Sequence, residues 1–289
     1  MKASELVLAP DGSLYHIHAT GDTLADDIIL VGDPERVNMF KSIFESTEVE
    51  SYNREIHLLT GTYHGHRYTA LSTGMGCDNI DIIMTELDAA ANIDLATGMV
   101  NSQLRSLNLV RIGTSGSLHS EIACGSHVAS KYAVGLDGLL NYYDCDPSIF
   151  ESEMQQKFCA HMQLDQDFAT PYAVAASPAL LATVAKDMHQ GITATAPGFY
   201  APQGRAIRFA PRIKDLNERL ATFEWEGTRL TNLEMETSGI YGMARMCGHQ
   251  ALTVCLIIAN RADGTFLNDY HDQMKDTLVT VMERLAGKN

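Results

Sequence analysis

Arginines set beside glycine-rich segments are the groups in this chain best suited to chemistry. Gly32-Asp33-Pro34-Glu35-Arg36 follows an apolar run and precedes a helical stretch. Free backbone N–H groups and the Arg36 guanidinium then stand together where an anion can be held, although the same residues also serve as an ordinary turn. Arg111-Ile112-Gly113-Thr114 sets a second arginine inside a buried-looking strand, with a hydroxyl in the turn after it. An unpaired buried charge is costly, so Arg111 calls for a fixed anionic partner.

Other polar groups carry less. Leu233-Glu234-Met235-Glu236 reads as the opening of a helical run, where acidic residues are favoured by the dipole alone. Two carboxylates two positions apart on a helix point in different directions, so at most one is expected to enter a given pocket. His16-Ile17-His18 would put two imidazoles on one face of a strand, but no third ligand has a plausible spacing, and no metal site is expected. Gly113-Thr114-Ser115-Gly116-Ser117 lacks the G-x-S-x-G register of a nucleophile elbow. Thr73-Gly74-Met75-Gly76-Cys77 is neither a Walker loop nor G-x-G-x-x-G, which removes ATP and dinucleotide chemistry.

The elements that must position these groups follow from periodicity. Residues 28–31, 68–72 and 109–112 read as short strands, each running into a glycine-rich turn. Residues 251–259 read as a buried strand, and 273–285 as a closing amphipathic helix with apolar residues at 274, 278, 281, 282 and 285. Strands alternating with helices predict an α/β fold around a mostly parallel or mixed central sheet. Ligands in such sheets bind at the carboxyl ends of strands, so the three turns are candidates for one shared site. With no internal repeat and no linker, residues 1–289 are read as a single domain. Residues 92–108 are expected to form a helix plus an inserted connection.

Twenty-one Lys and Arg against thirty-six Asp and Glu leave a formal charge of -15, which repels nucleic acid and acidic membranes. A small anionic substrate must therefore be held locally, by arginines or backbone N–H groups working against the overall field. Six cysteines without a C-x-x-C pair read as reduced thiols. No signal-peptide pattern and no apolar run near the length of a membrane span are present, so a cytoplasmic protein is expected.

Taken together and in order, these motifs resemble the nucleoside phosphorylase family, from about Ile28 to Arg261. Val31-Gly-Asp-Pro-Glu-Arg36 is similar to the family's first phosphate-binding turn, Ser72-Thr-Gly-Met-Gly76 to its second glycine loop, and Arg111-Ile-Gly-Thr114 to its main phosphate site. Leu233-Glu-Met-Glu236 is similar to the ribose-binding segment. The resemblance implies one α/β domain with a mixed, partly closed central sheet flanked by helices. It assigns phosphate to Gly32, Arg36, Arg111 and Thr114, and ribose to Met235 and Glu236.

Phe199-Tyr200-Ala201-Pro202-Gln203-Gly204-Arg205 resembles the F-Y-x-x-Q-x-R stretch of the family's uridine-cleaving branch. A glutamine offers acceptor and donors to the O2 and N3–H edge of uracil, an arginine faces O4, and Phe199 can pack on the ring. Purine-specific relatives carry an aspartate where Asn260-Arg261 stands here, with Asp263 out of register, so Arg261 joins the expected base-binding set. The implied reaction is reversible phosphorolysis of uridine to uracil and ribose 1-phosphate, with Arg205, Gln203 and Glu236 as catalytic residues. Inorganic phosphate is then a co-substrate, and no cofactor is called for.

Asn53-Arg54-Glu55 resembles the segment whose arginine crosses a subunit interface to the phosphate. Tyr15-His16 resembles the neighbour-donated histidine that bonds the ribose 5′-hydroxyl, with His18 as the other candidate. A homodimer or larger homo-oligomer with shared sites follows, its size left open. A monovalent cation at the interface is also left open, since Glu55 matches one ligand and Asn79 replaces the usual serine. Two other readings fit the same segments: another nucleoside phosphorylase or nucleosidase, and a non-catalytic nucleoside-binding protein. Preference among uridine, deoxyuridine and thymidine is not legible.

Overall fold

Asp27-Ile-Ile-Leu-Val31 is buried at every position, as expected of a β-branched run covered on both faces. The computed structural model describes residues 2 and 4–287, so the expected domain limits, 1 and 289, lie outside the described residues. This run is strand β1 (Asp27–Val31), which leads into helix α1 (Pro34–Phe40). A meander of β2 (Ser46–Asn53), β3 (Ile56–Tyr63) and β4 (His66–Ser72) follows, then α2 (Cys77–Asn92). Next come a short hairpin, β5 (Ile93–Asp94) with β6 (Met99–Val100), and the long strands β7 (Asn108–Ser117) and β8 (His127–Gly135). The second half alternates α3 (Ser152–Met162), β9 (Tyr172–Ala175), α4 (Pro178–Val184), β10 (His189–Thr195) and α5 (Leu216–Ala221). It closes with β11 (Glu224–Trp225), β12 (Thr228–Glu234), α6 (Thr237–Cys247), β13 (Gln250–Asn260) and α7 (His271–Leu285).

One mixed sheet carries this chain. Strands β7, β13, β8, β10 and β12 pair in turn, and β12 then pairs antiparallel with β7 through Asn232↔Ser117 and Leu233↔Gly116. That last contact closes the five strands into a small barrel. From β7 the sheet continues as an open wing, with β1 parallel to both β7 and β4, then β3 and β2 antiparallel. The expected mixed, partly closed sheet is therefore observed.

Helices cover the sheet with the faces the sequence marks as apolar. In α7, Met274, Leu278, Val281 and Met282 are buried, and Leu285 packs at the edge of the same core. Each fully buried side chain contributes about 1.5–3 kcal/mol of transfer free energy, so Leu278→Ala would cost about 2–5 kcal/mol with its cavity term.

Two expectations are corrected. Residues 113–117 were expected to form a turn but continue β7. Residues 93–107 contain no helix: α2 ends at Asn92, the β5–β6 hairpin follows, and the chain then runs without regular structure into β7. Asn92 holds that return, its Oδ1 accepting from Arg105 N–H and its Nδ2 donating to Arg105 O.

Candidate active site

The carboxyl ends of β1, β4, β7, β10, β12 and β13 converge, and the chemistry-bearing residues come with them. At the end of β1, Asp33 caps α1 by accepting the Glu35 N–H at 2.9 Å, and Pro34 presets the first helical φ. This puts half-buried Arg36 in the first turn of α1, with its guanidinium 6.0 Å from the Tyr270 ring centroid.

Arg111 projects from β7 and is only 4% exposed. Its Nη2 donates to Glu236 Oε2, its Nη1 lies 3.3 Å from Glu234 Oε2, and Cys255 Sγ is 3.6 Å from Nη1. Burial works against the Arg111 charge, but Glu236 and then Glu234 more than offset it and hold the guanidinium above its ordinary value. The strand can carry so large a group because residue 113 is glycine: a Cβ there would sit 2.1 Å from Arg111 Nη1. Close approach of a side chain, and not a turn, is the reason for that glycine.

The Leu233–Glu236 segment also departs from expectation. It is not helical: Glu234 ends β12, and Glu236 precedes α6 as its N-cap. With Glu234 closing the strand and Glu236 in the bend before α6, both carboxylates reach Arg111 and both line the cavity. Glu234 is fixed by Thr195 Oγ1 at 2.7 Å and by the Glu236 and Thr237 N–H groups. Glu236 Oε1 accepts the Gly76 N–H at 2.7 Å; Gly76 has φ +95°, and this tight entry to α2 is why glycine stands there. Burial pushes the Glu236 carboxyl up, with Arg111 opposing.

A single 3-10 turn, Ala201–Gln203, carries the glutamine, which is buried. Arg205 Nη1 donates to Gln203 Oε1 at 2.7 Å and to Phe199 O at 2.6 Å, and its guanidinium lies 3.8 Å from the Phe199 ring centroid. Burial first, and Arg261 second, lower the Arg205 pKa to about 10, so it remains charged at neutral pH. No carboxylate bonds to Arg205 among the described residues, leaving two neighbouring cations, Arg205 and Arg261, here. Arg261 packs along Gly116, with its Cγ 3.5 Å from where a Cβ would be. Buried Asn260 donates to His119 O and Ile122 O, while Asp263 is taken up by Thr265 and does not line the cavity.

These groups share one cavity of about 540 Å³. Gly32, Arg36, Arg111 and Thr114 line it together with Phe199, Gln203 and Arg205, and so do Met235 and Glu236. A second hollow, about 600 Å³ between α1 and the start of α7, shares Asp33 and Arg36 but none of Arg111, Gln203, Arg205 and Glu236. The arrangement can hold an anion beside hydroxyl acceptors and, next to them, stabilise negative charge on a planar ring.

Three expected residues do not line it: Arg261 stands behind Gly116, and His16 and Arg54 lie elsewhere. His16 and Arg54 line a separate cavity of about 80 Å³ with Asn79, Thr73 and Glu55, of which Glu55 also lines the main cavity. His16 lies in a turn and not on a strand; Glu86 Oε1 is 2.5 Å from its Nδ1. Arg54 is exposed at the β2–β3 hairpin, with φ +56°. Among the described residues no group of three or more His, Cys, Asp or Glu is arranged to hold a metal. Sequence reasoning missed Glu234, and the signal for it was the i, i+2 spacing read in the wrong secondary structure.

The fold and this cavity define a phosphorylase. Residues 26–287 match the family described as the Phosphorylase superfamily, and the chain belongs to it. It is similar to the uridine phosphorylase of Thermococcus kodakarensis, 28% identical over 262 residues that cover 89% of this chain and 80% of that protein. A DeoD-type purine nucleoside phosphorylase of Colwellia psychrerythraea is 27% identical, covering 84% of this chain and 85% of that one. Among solved structures, a Trypanosoma brucei nucleoside phosphorylase described as showing uridine phosphorylase activity matches with a TM-score of 0.86. It is 27% identical over 98% of this chain and 99% of its own.

Proposed function

We propose that this protein is a uridine phosphorylase, a pentosyltransferase that converts uridine and phosphate reversibly to uracil and ribose 1-phosphate. One observation carries the reading: a single cavity is lined both by Arg36, Arg111 and Thr114, which suit an anion, and by Gln203, Arg205 and Phe199, which suit a uracil ring. The relatives named uridine phosphorylase support it.

Phosphate is held by Arg36, Arg111, Thr114 and the Gly32 N–H, and attacks C1′ from the face opposite the base. Glu236 accepts the ribose 2′- and 3′-hydroxyls, with Met235 against the sugar. As the C1′–N1 bond breaks, its electron pair moves onto uracil while positive charge develops on the ribose. Gln203 and Arg205, with Arg261 beside them, bind the departing anion better than neutral uracil, which is the differential binding that catalysis requires. Phosphate is a co-substrate, and the chemistry needs no organic cofactor.

His16 and Arg54 serve a neighbouring copy in this reading, Arg54 reaching phosphate and His16 the ribose 5′-hydroxyl, so the active unit is a homo-oligomer. The six free cysteines suit a reducing cytoplasm. No helix of the described residues is long and apolar enough to cross a membrane.

The test is uracil release from uridine with and without phosphate, with inosine in parallel. Phosphate-dependent uracil and ribose 1-phosphate, with little hypoxanthine, are expected. Base release without phosphate would instead make the protein a nucleosidase, and no turnover of any nucleoside would make it a binding protein.

A further inference from the structure

Glu86 lies on α2, outside the main cavity, and is almost wholly buried at 8% exposure. A carboxylate so placed needs partners to offset its lost hydration, and among the described residues its hydrogen bonds come from His16 and Ile17. Oε2 accepts the His16 N–H at 3.0 Å and the Ile17 N–H at 2.9 Å, while Oε1 is 2.5 Å from His16 Nδ1. Seventy positions separate Glu86 from His16, so this is a tertiary device and not a local turn.

The geometry assigns the ring. A carboxylate only accepts, so the hydrogen on the Nδ1 side belongs to His16, and the neutral imidazole then presents Nε2 as a bare acceptor. The two backbone bonds fix where the residue starts, and the third fixes how the ring is turned. Carboxylates behind functional imidazoles elsewhere act in this way, setting tautomer and orientation together. His16 is half-buried on the edge of the small cavity that also holds Arg54, so its outer edge remains reachable.

We propose that Glu86 is a positioning residue for substrate selection: it locks His16 as the Nδ1–H tautomer so that Nε2 accepts the 5′-hydroxyl of the nucleoside bound by a neighbouring copy. The inference rests on the uridine phosphorylase reading and deepens it, naming the residue that makes the site sensitive to the 5′ position. Glu86 touches no substrate and acts through His16.

The experiment compares kcat/KM for uridine and 5′-deoxyuridine in the unsubstituted protein, His16→Ala, Glu86→Gln and the double variant. One hydrogen bond to an uncharged group corresponds to about a tenfold preference for uridine. His16→Ala should abolish that preference. Glu86→Gln should lower it by about threefold or more, because the amide can keep the backbone bonds through its oxygen but turns its NH₂ toward Nδ1. Phosphate KM should stay unchanged, and the double variant should match His16→Ala, since the two residues act through one contact. A purely structural Glu86 would slow both nucleosides equally and leave the ratio intact, which overturns the proposal. So does an unchanged ratio in His16→Ala.

Nitrogen-15 NMR of the imidazole reads the tautomer without any turnover. A protonated Nδ1 and bare Nε2 are expected for His16, reversing or mixing in Glu86→Gln; a bare Nδ1 in the unsubstituted protein would also overturn the proposal. Failure of uridine phosphorolysis itself would appear separately, as absent uracil release from the unsubstituted protein.

Discussion

Arg111 and Glu236, 125 positions apart, form an ion pair buried from solvent on both sides, and Glu234 braces the same guanidinium from the neighbouring strand. Removing one partner of a buried pair leaves the other charge uncompensated, at about 3–5 kcal/mol. Arg111→Ala should therefore lower the unfolding midpoint as well as raise the KM for phosphate. Phosphate saturation curves at a temperature where the variant stays folded check the second effect, and unchanged saturation would remove Arg111 from the anion site.

Arg205 holds Gln203 through one hydrogen bond and lies over the Phe199 ring, with Arg261 as a second cation nearby. Arg205→Ala should lower kcat/KM for uridine by about 10² or more, the size typical of losing one preorganised donor to developing negative charge. A loss smaller than about threefold would take Arg205 out of leaving-group stabilisation.

Gly113→Ala tests the space that lets a strand carry Arg111. The added methyl would meet Nη1 at 2.1 Å and Cζ at 2.6 Å, and the two carboxylates leave the guanidinium little room to yield. Overpacking of this kind costs about 1–3 kcal/mol. Phosphate KM should rise with little change in the ratio of uridine to deoxyuridine turnover. A variant with native stability and native phosphate KM would show that Arg111 moves freely.

Glu50 offers a pH test away from the site. Lys41 first, then Tyr52, with His57 behind them, lower its pKa from 4.5 to about 2. A depressed carboxylate pKa stabilises the fold above the ordinary value, and that stability is lost as pH falls through the folded one. Glu50 is partly solvated, so Glu50→Gln should cost only about 1 kcal/mol near pH 7. The gap between the two proteins should narrow below pH 4.5 and close toward pH 2. Denaturant midpoints across that range measure it; a gap independent of pH would mean the charge contributes nothing.

Much of the site was legible without coordinates because its parts are local. Turn chemistry marks Gly32-Asp33-Pro34, since Asp33 and Pro34 cap and preset α1 within a few residues. Apolar patterning marks β1, β4, β13 and α7: the strands are apolar or β-branched runs buried along most of their length, and the helix buries its apolar residues at the helical repeat. The order of motifs along the chain was enough for the family.

What the tertiary structure decided lies in pairings that local sequence does not encode. Glycines at 113 and 116 look like turn formers, yet β7 runs through them, because neighbours on β13 and β12 pair with the strand there and its glycines make room for Arg111 and Arg261. Glu234 and Glu236 look divergent on a helix and become convergent once the fold places one at the end of β12 and the other in the bend before α6. Glu86 and His16 carry no shared sequence pattern at all; only the packing of α2 against the N-terminal turn brings carboxylate and imidazole together. A strand's neighbours and a buried charge's partners are set by the whole fold, so these are the relationships that composition and spacing cannot express.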